Sequence, residues 1–218
     1  MSKSHKAYLP AAGHDWFLPL YDPLVKLMGG DQARKALIDQ AGPEPGQRLL
    51  EIGCGTGTVV IMIKQLHPDV EVVGLDPDVK ALARARRKAE RASVSAQFAR
   101  GFSDKLPYAD ASFDRVFSSF MFHHLEPEQK ERTLREVRRV LRPGGTLHLL
   151  DFGGPPSSSP GFLGRLVHSA HRLKDNYSGG IPRLMGQAGF QDPREVSHGS
   201  MLFMRTAYYR ATAPADGT

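Results

Sequence analysis

The chain has 218 residues, 40% of them hydrophobic and 24% charged, a make-up that excludes wholesale disorder, a collagen-like repeat and a coiled coil. Its single cysteine excludes an intrachain disulfide and a cysteine-rich zinc site, and no apolar run approaches the ~18–20 residues of a membrane-spanning helix. A net charge of +6 invites nucleic acid as a partner, but the basic residues are dispersed, and neither zinc-finger spacing nor an aromatic RNA-binding pattern accompanies them.

Residues 1–45 read as a separate N-terminal lid or cap. Its first part carries His14, Trp16, Phe17 and Tyr21 and lacks the apolar stretch of a secretory signal, so a soluble cytoplasmic protein is expected. A helix over 31–41 follows from Asp31 as N-cap and from the spacing of Ala33, Ala36, Leu37 and Ala41. The breaker cluster Gly42-Pro43-Glu44-Pro45-Gly46 ends the region.

From residue 48 to 152 strand and helix patterns alternate. Strands are expected over 48–52, 70–75, 94–99, 113–120 and 146–152, and helices over 56–66, 78–92 and 126–141. This alternation predicts an α/β fold with a parallel sheet and crossover helices. The densest basic run is Arg84, Arg86, Arg87, Lys88 and Arg91. It is interleaved with Leu82, Ala85 and Ala89 at helical spacing, which favours a solvated helix face over a phosphate-binding surface. Residues 153–180 read as an insertion, with a loop rich in Gly, Pro and Ser and then a helix over 162–174 that carries His168 and His171. A last helix over 181–188 precedes strands over 194–198 and 202–209, joined by a turn at Gly199-Ser200, and 211–218 reads as a flexible tail.

Two motifs carry the chemistry. The first is Leu49-Leu50-Glu51-Ile52-Gly53-Cys54-Gly55-Thr56-Gly57, an apolar strand, an acid and a glycine loop that opens a helix. The glycines permit a tight turn and close approach of a ligand at a strand's carboxyl end. Thr58 breaks the dinucleotide spacing G-x-G-x-x-G, and no Gly-Lys-Ser/Thr follows for a phosphate loop. The bland alternative is a strand-to-helix turn with no ligand. The second motif is Gly74-Leu75-Asp76-Pro77-Asp78, whose Asp76 ends the second strand 25 positions after Glu51 and is placed to accept ribose hydroxyls. Asp78 reads as the N-cap of the next helix.

With these motifs, and with Leu106-Pro107-Tyr108-Ala109-Asp110-Ala111-Ser112-Phe113-Asp114 and Leu141-Arg142-Pro143-Gly144-Gly145 after them, the sequence resembles the class I S-adenosylmethionine-dependent methyltransferases. It is most similar to the ubiquinone/menaquinone C-methyltransferase type and its small-molecule relatives. The resemblance covers about residues 48–152 and, more weakly, the ending through Arg210. It implies a Rossmann-like domain over 46–210, with a mainly parallel seven-stranded sheet, helices on both faces and the last strand antiparallel. It implies S-adenosyl-L-methionine as cofactor. Glu51, Gly53, Cys54, Gly55 and Gly57 would hold its methionine part, Asp76 its ribose, and Pro77 would lie near the adenine. Where the family often has Gly-Asp-Ala this chain has Gly101-Phe102-Ser103, so Phe102 either stacks on adenine or packs in the core. Ser103 and Ser118 complete the expected cofactor set.

The segment Ser118-Ser119-Phe120-Met121-Phe122-His123-His124-Leu125 lies where the family places acceptor-facing residues. His123, or else His124, is the candidate base for an acceptor that must lose a proton, since an imidazole titrates near neutrality. The alternative is that both histidines only bond the turn into the next helix. Trp16, Tyr21 and Phe122 are candidate walls of an acceptor pocket, with Trp16 and Tyr21 in the lid. No metal site is expected. The expected partner is a small, apolar or aromatic methyl acceptor. Two rivals stand against it: a nucleic-acid or protein methyltransferase, and a non-catalytic cofactor-binding regulator. Against ring methylation through a cysteine nucleophile, the one cysteine lies inside the cofactor loop.

Overall fold

The computed structural model describes residues 29–153, 179–201 and 204–215. The lid residues Trp16 and Tyr21 and the insertion's helix with His168 and His171 lie outside the described residues. In chain order the elements are α1 (Gly30–Ala41), β1 (Arg48–Ile52), α2 (Thr58–Leu66), β2 (Glu71–Asp76), α3 (Val79–Arg91), β3 (Gln97–Arg100) and β4 (Phe113–Ser119). A 3-10 turn (Phe122–His124) leads to α4 (Pro127–Val140), β5 (Leu141–Phe152), α5 (Gly180–Gln187), β6 (Gln191–Met201) and β7 (Met204–Thr212). None of the helices in the described residues is long and apolar enough to cross a membrane.

The strands form one seven-stranded sheet in the order β3-β2-β1-β4-β5-β7-β6. β1 to β5 pair in parallel, and β7 runs antiparallel to both β5 and β6. The chain winds outward from β1 to β3, then returns to the other side of β1 with β4. A crevice therefore opens between the carboxyl ends of β1 and β4, where the order reverses.

Strand alternation gives the sheet two apolar faces. Leu49, Val72, Phe117 and Leu150 pack with Leu37 and Ile38 of α1 and Val59, Val60 and Ile63 of α2. Leu50, Val73, Val116 and Leu149 pack on the other face with Leu134 and Val137 of α4 and Ile181, Leu184 and Met185 of α5. Helix α4 is opened by Pro127, with a capping box between Glu126 and Gln129.

Several boundaries differ from the sequence expectation. Helix α1, expected within the cap, packs on the sheet: Leu37 and Ile38 are buried, and the Tyr208 hydroxyl donates to the Ala33 carbonyl at 3.2 Å. β5 starts at Leu141, paired with Phe113 across a register shift, and takes in the Pro-Gly-Gly segment. The β6–β7 ladder continues past Gly199 and Ser200, which pair with Thr206 and Arg205, to Met201 opposite Met204. Burial of Met201 favours that longer register over a turn at the small residues. β7 likewise runs to Thr212, and Ala213 exchanges backbone hydrogen bonds with Gly144 and Gly145, which ties down the start of the expected tail.

Candidate active site

The glycine loop follows from where β1 ends. Gly53, Gly55 and Gly57 all have φ between 51° and 76°, a region that side-chain-bearing residues avoid. The N–H groups of Gly53 and Cys54 donate to the Leu75 carbonyl at 2.7 and 3.1 Å, stitching the loop to β2. A Cβ on Gly53 would lie 2.2 Å from Met121 Cγ, and one on Gly57 would lie 2.8 Å from the Phe98 ring. Among the described residues, a Cβ on Gly55 would meet nothing within 4 Å.

Asp76 closes β2 beside that loop. Its Oδ2 accepts the Gly55 N–H and its Oδ1 the Asp78 N–H, each at 2.8 Å. Burial raises its pKa, partly offset by those two N–H donors. Asp78 caps α3 by accepting the N–H groups of Lys80 and Ala81, as its position in the sequence predicts. Glu51 is 2% exposed, and its Oε2 has no hydrogen-bond partner among the described residues. Burial pushes its pKa up to about 8; Arg34 and Lys88 pull it down and Asp76 pushes it further up. Burial also pushes the Cys54 thiol well up, with Glu51 and Asp76 acting in the same direction, so this cysteine is no nucleophile.

Phe102 is half-buried, forms an isolated bridge with Lys105 and belongs to neither core cluster. The Ser103 hydroxyl lies 3.0 Å from that of Thr133 and ties its loop to α4. Ser118 is fully buried, and its hydroxyl, like that of Ser119, has no hydrogen-bond partner among the described residues. Phe122, expected as a pocket wall, is 1% exposed and packs in the core, with Lys130 Nζ 5.8 Å from its ring centroid. Strand β4 ends there, and the 3-10 turn rotates Phe122 under the sheet.

That same turn places His123 against Asp151. The His123 N–H donates to Asp151 Oδ2 at 2.9 Å, and His123 Nδ1 lies 2.6 Å from Asp151 Oδ1. Both side chains are buried. The His124 ring lies 4.0 Å from that of His123, and Phe152 meets the His123 ring edge-on at 5.2 Å. Phe120, held at φ 52°, packs on Phe152 at 5.2 Å. Asp151 was not singled out from the sequence. The signal that marks it is the one that marks Asp76, a lone acid at the carboxyl end of an apolar strand.

Comparison with known proteins bears directly on this geometry. Residues 49–145 match the family model described as a methyltransferase domain. The demethylmenaquinone methyltransferase of Thermus thermophilus is 37% identical over 151 residues, which are 68% of this chain and 68% of that protein. The chain belongs to the class I S-adenosylmethionine-dependent methyltransferases. Within them, the ubiquinone/menaquinone biosynthesis C-methyltransferase of Paracoccus denitrificans is 33% identical over 77% of this chain and 64% of its own. The matched stretch thus spans about two thirds of the length of these relatives. Haemonchus contortus phosphoethanolamine N-methyltransferase 2, solved with S-adenosyl-L-methionine, shares the fold at a TM-score of 0.72, 18% identity, 94% of this chain and 58% of that one. S-adenosylmethionine is accordingly this methyltransferase's cofactor, and the residues present fit it. The space over Gly55, and the Glu51 Oε2 and the Ser118 and Ser119 hydroxyls that find no partner among the described residues, all lie at the strand ends beside the crevice.

Proposed function

We propose that the enzyme methylates a small apolar or aromatic acceptor, with His123 as the base that takes the acceptor's proton. Bound S-adenosylmethionine supplies an electrophilic methyl group, whose bond to sulfur breaks as the bond to the acceptor forms. The Asp151–His123 pair carries the reading. A proton on Nδ1, held by the Asp151 carboxylate, leaves Nε2 of the neutral ring as the proton acceptor. The second bond, from the His123 N–H to Oδ2, fixes the backbone and ring together, so the base is oriented before the acceptor arrives. Phe152 and Phe120, packed beside the imidazole, give that side an apolar wall. The names of the relatives, demethylmenaquinone methyltransferase among them, support a quinone-like ring as the acceptor.

On the donor side, Asp76 takes the ribose, Glu51 and the loop from Gly53 to Gly57 the methionine part, and Pro77 and Phe102 the adenine, with Ser103 and Ser118 alongside. Turnover of hydroxylated aromatic acceptors and cofactor affinity test these roles together. His123→Ala and Asp151→Asn should each keep cofactor affinity within about twofold and lower turnover by roughly 10²–10⁴-fold, the usual range for a lost general base. Unchanged turnover in His123→Ala removes it from the mechanism.

A further inference from the structure

The chain's net charge of +6 is not spread evenly over the molecule. Residues 79–105, which take in α3 and the edge strand β3, carry eight basic and two acidic side chains, so the rest of the chain is neutral as a whole. Helix α3 turns Ala81, Leu82, Ala85 and Ala89 inward. With 3.6 residues per turn, Lys80, Arg84, Arg87 and Arg91 then fall within an arc of about 60° on the outer side, along about 16 Å of helix. Lys80, Arg87 and Arg91 are exposed and Arg84 is half-buried. Among the described residues none of the three arginines forms an ion pair, and Arg87 Nε donates only to the Ala83 carbonyl one turn back, at 3.2 Å. Helices α1 and α4 pair such charges, Lys35 with Asp39, Arg135 with Glu131 and Arg139 with Glu136. On α3 the neighbours one turn apart repel instead, Arg84 with Arg87 and Arg87 with Arg91, a spacing that weakens a helix on its own.

A straight row of unbalanced cations matches a partner whose negative charges are themselves spread over a surface. Nucleic acid and an anionic bilayer both have that chemistry. The row lies on the convex side of a helix and holds no aromatic side chain, so it offers neither a groove for a phosphate strand nor a platform for bases. Val79, 53% exposed in the first turn of α3, adds an apolar side chain at the end of the sheet where β2 stops, the end that holds the crevice. The acceptor proposed above is apolar and so partitions into lipid. We propose that the outer face of α3 docks the enzyme on a bilayer that carries anionic phospholipid headgroups. The charge row carries this inference, and the choice of a bilayer over nucleic acid rests on the apolar acceptor proposed above. Each basic side chain is drawn to the headgroup phosphates within about 10 Å of the surface, the reach that salt screening leaves at 0.1 M.

The test is co-sedimentation of the full chain with vesicles, one set of phosphatidylcholine and one with phosphatidylglycerol added. The unmodified protein should bind the phosphatidylglycerol vesicles, leave the neutral ones in place, and come off at high salt. Arg84→Gln/Arg87→Gln/Arg91→Gln should bind the anionic vesicles roughly 100-fold more weakly, about fivefold for each charge removed. Arg84→Lys/Arg87→Lys/Arg91→Lys keeps the charge and should stay within about threefold of the unmodified protein. Arg87→Gln/Arg91→Gln, confined to the two exposed arginines, should lose roughly 25-fold and serves if the triple glutamine variant does not fold. These residues lie outside the donor and acceptor sites, so turnover of a water-soluble hydroxylated aromatic should not change. Equal binding to both kinds of vesicle, or glutamine variants that bind as the unmodified protein does, overturns the proposal. So does salt-dependent binding to RNA without binding to anionic vesicles, which makes the partner a nucleic acid. Vesicle binding without turnover of any apolar acceptor keeps the docking surface and overturns the proposed reaction alone.

Discussion

Gly53 and Gly55 share a left-handed backbone but differ in what stands over them. Alanine at either position carries a backbone strain of roughly 1–2 kcal/mol. At Gly53 it also drives into Met121, whereas at Gly55 it meets none of the described residues within 4 Å. Gly55→Ala should therefore cost only about 1–2 kcal/mol in urea unfolding and weaken S-adenosylmethionine more than tenfold, because the added methyl fills the donor's space. Gly53→Ala should lose more stability than Gly55→Ala. Unaltered cofactor affinity in Gly55→Ala would take the loop's open point out of the donor site. These glycines were legible in the sequence because their spacing is local. Asp151 and Arg34 were not. Asp151 meets His123 across 28 residues of chain, and the burial of Arg34 depends on where α1 lands. The burial of Phe122 was not legible for the same reason, since the 3-10 turn beside the histidine pair is announced by no periodicity.

At the scale of elements, the two aspartates that end β2 and begin α3 separate cleanly. Asp78 serves the helix, through two N–H groups of its first turn, so Asp78→Ala should cost about 1 kcal/mol of stability and leave cofactor affinity nearly intact. Asp76 serves the loop, and on its proposed contact with the ribose Asp76→Ala should abolish measurable cofactor binding. Urea unfolding and calorimetric titration of both variants check the contrast, and tight binding by Asp76→Ala sinks its assignment. The interiors of helices and strands were readable, because apolar periods of about 3.6 and 2 are written locally. Their ends were less so where pairing reaches across the chain. β5 begins early because Leu141 pairs with Phe113, and the β6–β7 turn lies beyond Gly199-Ser200 because the ladder is anchored by buried Met201.

Across the whole molecule, two buried groups oppose each other in their response to pH. His148 lies buried near Arg115 and Arg210, and its pKa is held at about 3 against an ordinary 6.5. The unfolded chain would protonate it near 6.5, so its contribution to stability is complete above that pH and is lost as pH falls towards 3. Glu51 works the other way, with a folded pKa of about 8 against an ordinary 4.5. Its contribution is complete below 4.5 and is lost as pH rises through about 8, and Asp76, also raised by burial, adds to that trend. The cofactor-free enzyme should therefore be most stable between about pH 5 and 6.5. Glu51→Gln should flatten the alkaline decline, and His148→Leu the acid one, in melting temperatures measured across that range and beyond. An unchanged alkaline slope in Glu51→Gln would place the burdened carboxyl elsewhere. The seven strands and the single antiparallel one were legible only through the family resemblance, and the sheet's order not at all, since strand patterns fix neither neighbour nor direction. The alternation along those strands has a last consequence. Glu51 and Asp76 share a face with Leu49, Val72 and Leu150, while Asp151 shares the opposite face with Leu147 and Leu149. The two acids proposed for the donor and the acid that holds His123 are thus rooted in separate layers, so repacking around Asp151 can shift the histidine while Glu51 and Asp76 stay in place.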